Sequence, residues 1–158
     1  MMWNYGCVPQ TWEDPKITHH ETLAGGDNDP LDIIDIGSKM WSVGSIVRVR
    51  VLGALAMIDA GETDWKLIAI NCEDPLADVL NDIDDVFVHM PGCVEALHRW
   101  LKYYKSPVIN TFGFGGAAQS REFAESLIDE THRQWEELLL QRGKAPLCGA
   151  ERVVASGH

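Results

Sequence analysis

Residues 26–33 read Gly-Asp-Asn-Asp-Pro-Leu-Asp-Ile, so Asp27, Asp29 and Asp32 stand at positions i, i+2 and i+5 around a proline. Carboxylates this close repel one another, and a site they share costs free energy without a cation. The chain must either splay them over a solvated turn or gather them on a metal. A hard divalent ion such as Mg²⁺ removes the repulsion, takes oxygen ligands and keeps waters that phosphate oxygens can replace. Asn28 adds no charge, and Pro30 fixes one backbone angle so that the turn holds its shape.

A second acidic group lies downstream in Asp59-Ala60-Gly61-Glu62-Thr63-Asp64-Trp65-Lys66. Asp59 and Asp64 stand at either end of a glycine-containing turn, and Lys66 follows Asp64 by two. Residues two apart in a strand share a face, which allows Asp64 and Lys66 to project into one site. Two acidic loops and a lysine suit a metal-bound anion better than a simple salt bridge.

With Asn4-Tyr5-Gly6 and Pro9-Gln10-Thr11-Trp12-Glu13-Asp14-Pro15, these stretches resemble the motifs of the soluble family I inorganic pyrophosphatases, in their eukaryotic form. The resemblance runs to the helix that ends near Trp135. It implies an α+β chain, mainly β with α: an OB-like five-stranded β-barrel with helices packed outside. It implies Mg²⁺-dependent hydrolysis of inorganic diphosphate to two orthophosphates, a reaction that asks a protein mainly for positioning and charge neutralisation. Carried over residue by residue, Asp27, Asp32 and Asp64 hold a metal pair with Asp32 bridging, and Asp29 is the general base. Asp59 joins Asp64 in holding Mg²⁺ that arrives with diphosphate. Tyr5, Lys66, Tyr104 and Lys105 bind phosphate oxygens. Family members carry a substantial segment before the motif matched by Asn4-Tyr5-Gly6. That segment includes barrel strands, a lysine and an arginine for phosphate, and a glutamate near the metals. The resemblance therefore assigns residues 1–141 to the C-terminal portion of the domain, incomplete at its N-terminus, and leaves 142–158 as a disordered tail.

Composition narrows the classes. The formal net charge of −11 opposes a broad nucleic-acid surface, since phosphate backbones reward Lys and Arg. No apolar run approaches the ~20 residues that span a bilayer, and the start lacks the regions of a signal peptide. Cys7, Cys72, Cys93 and Cys148 are widely spaced, which points to reduced thiols in a cytoplasmic protein rather than a zinc site. In His19-His20-Glu21 the adjacent side chains are expected to diverge.

Along the chain, residues 1–26 read mostly as loop. Tyr5, taken without the resemblance, is a half-buried residue packing near Trp12. Leu31–Ile36 reads as a short strand. Ser45–Ile58 alternates as a strand with Gly53 at a bulge and with Arg48 and Arg50 on a solvated face. Trp65–Ile70 is the next strand. The acids from Glu73 to Asp85 read as a solvated face and a helix start. A helix spans Val94–Tyr104, and the last runs from about Ser120, its N-cap, to Leu140. The alternative to a working enzyme is a catalytically impaired remnant that binds metal or pairs with a full-length subunit. A homo-oligomer is the other expected assembly.

Overall fold

The structure, a computed structural model, describes residues 3–144. Five strands, β1 (Asn4–Cys7), β2 (Asp32–Asp35), β3 (Val49–Asp59), β4 (Glu62–Asn71) and β5 (Thr111–Phe112), form one sheet in the order β1-β2-β4-β3-β5. Three α-helices complete the α+β architecture: α1 (Ile83–His89), α2 (Cys93–Tyr103) and α3 (Arg121–Lys144). All pairs are antiparallel except β2 with β4. No pairing joins β5 to β1 among the described residues, so the sheet ends at two short strands.

The sheet buries both faces. On one, Ile34, Ile36, Leu55, Met57, Ile68 and Ile70 pack with Val86 of α1 and Val94, Leu97 and Leu101 of α2. On the other, Leu31, Ala54, Ala56, Trp65 and Leu67 meet Ala124 and Leu127 of α3. A strand buried on both sides loses simple alternation, and β4 is buried from Thr63 to Asn71. The bulge expected at Gly53 lies between Val51 and Gly53. Its extra residue lets Leu52 and Leu55, three apart, share the α2-side face.

Local chemistry explains most of the boundaries. Asp82 caps α1 in a reciprocal box with Asp85, and Phe123 N–H donates to Ser120 Oγ at the start of α3. The acids from Glu73 to Asp85 are thus partly structural. Asp74 is buried, where it accepts from Ser38 N–H and Oγ and from Leu76 N–H. Burial opposes its charge, but these donors win and hold the carboxyl below its ordinary range. Residues 1–26 are mostly loop as expected, with one short strand, β1, which pairs with β2 through Tyr5↔Ile34. Three expectations need correction. The strand expected from Ser45 begins only at Val49. Arg50 is half-buried rather than solvated, donating to the Ala77 and Leu80 carbonyls and to Asn81. That arrangement satisfies the carbonyls of a segment without regular pairing. Helix α3 continues past Leu140 to Lys144, and the remainder of the expected tail, 145–158, lies outside the described residues.

Candidate active site

The α2-side face of the sheet changes character along its strands. Opposite residues of paired strands point the same way, so Tyr5, Ile34 and Ile68 share this face, as do Asp32 and Lys66. The next residue along β4 on that side is Asp64. One end of the apolar face therefore becomes ionic without any change of scaffold.

At that end the Lys66 ammonium sits between two carboxylates. It donates to Asp32 Oδ2 at 2.5 Å and also bonds Asp64, and its side chain is 2% exposed. Tyr5 Oη donates to the same Asp32 Oδ2 at 2.5 Å. Burial works against the Lys66 charge, but Asp64, Tyr5 and Asp32 outweigh it and raise its pKa. Burial likewise pushes the Tyr5 hydroxyl up, and pushes Asp64 up to about 6 against the pull of Lys66. Tyr5 packs edge-on to Trp100 of α2 at 6.3 Å rather than near Trp12. Trp12 instead donates its indole N–H to Asn28 Oδ1 at 3.1 Å.

Asp27 and Asp29 come from the loop before β2, where Asp29 N–H donates to Asp27 Oδ1 at 3.0 Å. Asn28 takes a positive φ of 71°, which Asn tolerates better than most residues. Asp29 itself is exposed. Asp59 closes β3, where it bonds Lys105 and accepts from Tyr104 Oη at 3.4 Å. The Asp59 bond, set against slight burial, raises the Lys105 pKa. The structure thus forms two ionic groups from the nominated residues: Tyr5–Asp32–Lys66–Asp64, and Asp59–Tyr104–Lys105.

A cluster of three carboxylates includes a residue that sequence reasoning passed over. Ligand oxygens of Glu13, Asp27 and Asp64 all lie within 4.8 Å of one another. Glu13 is 3% exposed; its Oε1 accepts from Trp65 N–H at 3.0 Å, and its Oε2 is buried with no partner among the described residues. Burial pushes its carboxyl up to about 9, and Asp27 and Asp64 add to the effect. Burial raises Asp27 as well. A buried carboxyl with one oxygen lacking a donor, in a cluster with two other carboxylates, fits a divalent cation. The sequence signal for Glu13 was its place in Trp12-Glu13-Asp14-Pro15, but only the fold reveals that the side chain is enclosed. His19 and His20 do not diverge as expected: their rings stack at 4.6 Å, with His19 edge-on to Trp65.

The profile of the family described as inorganic pyrophosphatase matches residues 1–136. The chain belongs to the inorganic pyrophosphatase family. It is 51% identical over 160 residues to inorganic pyrophosphatase 1 of Caenorhabditis elegans, a match covering 99% of this chain and 37% of that protein. It is 50% identical to the inorganic pyrophosphatase of Candida albicans over 86% of this chain and 48% of that one. Among solved structures, the inorganic pyrophosphatase of Schistosoma japonicum superposes with a TM-score of 0.84 at 55% identity, covering 86% of this chain and 49% of that one. An N-terminal-domain-truncated vacuolar soluble pyrophosphatase of Trypanosoma cruzi, solved in complex with PPi, superposes at 0.86 with 45% identity over 89% of this chain and 54% of that one. The chain thus spans about half the length of these pyrophosphatases, or less.

Proposed function

We propose that this chain takes part in Mg²⁺-dependent hydrolysis of inorganic diphosphate to two orthophosphates. The observation that carries the reading is the buried Glu13 carboxyl, one of its oxygens partnerless, clustered with Asp27 and Asp64 beside a face that gathers Asp32, Lys66 and Tyr5. The family membership and the PPi complex of the Trypanosoma cruzi protein support it.

In this reading Asp27, Asp32 and Asp64 hold the metal pair, with Glu13 completing the carboxylate wall. Asp59 and Asp64 hold the ion that accompanies diphosphate. Bound divalent ions would lower the pKa of a coordinated water and neutralise phosphate charge. Asp29, exposed at the turn, takes the proton of the attacking water. The water oxygen bonds one phosphorus, the bridging P–O bond breaks, and the bridging oxygen leaves with the second orthophosphate. To bind the diphosphate before this step, Lys66 and Tyr5 turn from Asp32 toward phosphate oxygens, and Tyr104 and Lys105 turn from Asp59 in the same way. Each basic group is held by a carboxylate until an anion competes for it.

Free Cys7, Cys72 and Cys93 suit a reducing, cytoplasmic setting, and among the described residues no helix is long and apolar enough to cross a membrane. Exposed Met40, Val43 and Ile46 suit pairing with a second subunit, either another copy or a longer relative. Phosphate release from diphosphate by the purified chain, with Mg²⁺ and again with chelator, tests the activity. Chelator-sensitive turnover absent from an Asp32→Ala control is the expected result. A folded chain that releases no phosphate in Mg²⁺ would overturn it.

A further inference from the structure

The middle of helix α3 carries a buried polar side chain that bonds the backbone next to Glu13. Gln134 is 8% exposed, and its Oε1 accepts from Asp14 N–H at 2.8 Å across 120 residues of chain. Its Nε2 donates to Glu130 Oε1 at 3.3 Å, one turn earlier. That second bond decides which end of the amide faces Asp14. Next to it, Trp12 N–H donates to the Thr131 carbonyl at 3.0 Å, and His132 Nδ1 pairs with the Gln10 carbonyl at 2.7 Å. Residues 10–14 are therefore strapped along one face of the helix.

The other edge of the same strap holds the carboxylate loop. Glu13 N–H donates to the Asp29 carbonyl and Asn28 N–H to the Glu13 carbonyl, both at 3.0 Å, while Gly26 N–H donates to the Asp14 carbonyl at 3.1 Å. Asp14 thus gives its N–H to Gln134 and its carbonyl to Gly26. The Glu13 side chain leaves the strap between these anchors and enters the cluster with Asp27 and Asp64. A displacement of Asp14 moves Glu13 and Gly26 together, and with them the spacing of two of the three carboxylates.

We infer that Gln134 is a positioning residue: its bond to Asp14 sets how closely Glu13 approaches Asp27 and Asp64, and so tunes divalent-metal affinity. The inference rests on the metal-site reading above. Partners that orient ligands are often worth ~10–100-fold in metal affinity. Acting one residue further out, Gln134 belongs at the lower end.

The test is Mn²⁺ binding by the full chain, measured calorimetrically, with the metal-free melting temperature recorded beside it. Gln134→Met keeps the length of the side chain and removes the acceptor, and it should weaken Mn²⁺ binding roughly tenfold. The paired exchange Glu130→Gln with Gln134→Glu keeps an acceptor at Asp14 and a donor between the two positions. It should restore affinity to within about twofold of the starting chain, since the hydrogen-bonding pattern is retained. Should the methionine variant not fold, Gln134→Asn, too short to reach Asp14, should show the same weakening. Mn²⁺ binding by a folded acceptor-less variant at the original affinity would overturn the inference while leaving the metal site standing. So would a paired exchange that recovers nothing. Mn²⁺ binding that Asp64→Asn does not reduce would instead remove the metal-site reading, and this inference with it.

Discussion

Lys66 and Asp64 stand two residues apart on β4 and close an ion pair with each other inside the protein, both side chains under 10% exposed. The pair is enclosed, so its two halves are not separable in energy. Removing one member of a buried pair leaves the other charged without compensation, at a cost of about 3–5 kcal/mol. Lys66→Met should therefore lower the metal-free stability by about that much, since Asp32 also loses its cation. Added Mg²⁺ should recover part of the loss by replacing the missing positive charge. Denaturant unfolding with and without Mg²⁺ measures both. An equal loss in the two conditions would show that Lys66 and the metal do not share these carboxylates.

Glu13 makes stability depend on pH in an unusual direction. Its carboxyl is raised to about 9, so the folded chain keeps a proton that the unfolded chain releases near the ordinary carboxylate range. Wherever the folded state binds more protons, stability falls as pH rises. Asp64, raised to about 6, contributes the same sign but is complete below neutrality. His19 and His98 are lowered by burial and act oppositely, in the acid range. From about pH 7 to about pH 9 the Glu13 contribution leads, joined near the top of the window by Cys93, whose thiol is raised by burial with the same sign. Melting temperature in chelator should fall across that window. Glu13→Gln should flatten the slope. A melting temperature that rises across the window in the unmodified chain would contradict the enclosed, partnerless carboxyl.

Gly26 marks where the strap and the carboxylate loop touch backbone to backbone. A Cβ there would lie 2.4 Å from the Glu13 carbonyl carbon and 2.5 Å from its oxygen. These are main-chain atoms held by three hydrogen bonds, so the loop has to move. Overpacking of this kind costs about 1–3 kcal/mol. Gly26→Ala should destabilise by at least that much and weaken Mg²⁺ binding, because the loop that moves carries Asp27. Gly6→Ala, which meets nothing within 4 Å, is the matched control. Equal stability of the two variants would refute the close approach.

Much of this arrangement was legible because it was local. That Asp64 and Lys66 share a face follows from strand periodicity, though not that they bond each other. The bulge follows from Gly53 in an apolar run, and the start of α3 from Ser120 as its N-cap. The motifs around Asp27, Asp32 and Asp64 also carried the family. What could not be read was set by contacts distant in sequence. Glu13 looks like any exposed acid until Trp65 and the Asp27 loop enclose it. Arg50 looks solvated until residues 77–81 return to it, and β1 has too few residues to signal a strand without β2 beside it. Gln134 continues the buried line of Ala124, Leu127 and Thr131 along α3, but what its amide bonds cannot be read until Asp14 arrives from 120 residues away.

The pair of Lys105 with Asp59 separates stability from function most cleanly. The Lys105 side chain is 48% exposed, and an exposed ion pair contributes about 0–1 kcal/mol. Lys105→Ala should thus leave the melting temperature nearly unchanged. If Lys105 swings from Asp59 to a phosphate oxygen, the same change removes a charge-assisted contact with substrate, worth about 1.5–3 kcal/mol. That corresponds to a loss of roughly tenfold or more in kcat/KM for magnesium diphosphate. A structural role alone predicts the opposite pattern, a small shift in stability with kcat/KM untouched. Steady-state kinetics beside a thermal melt on one preparation decides between them, and unaltered kcat/KM would remove Lys105 from the substrate site.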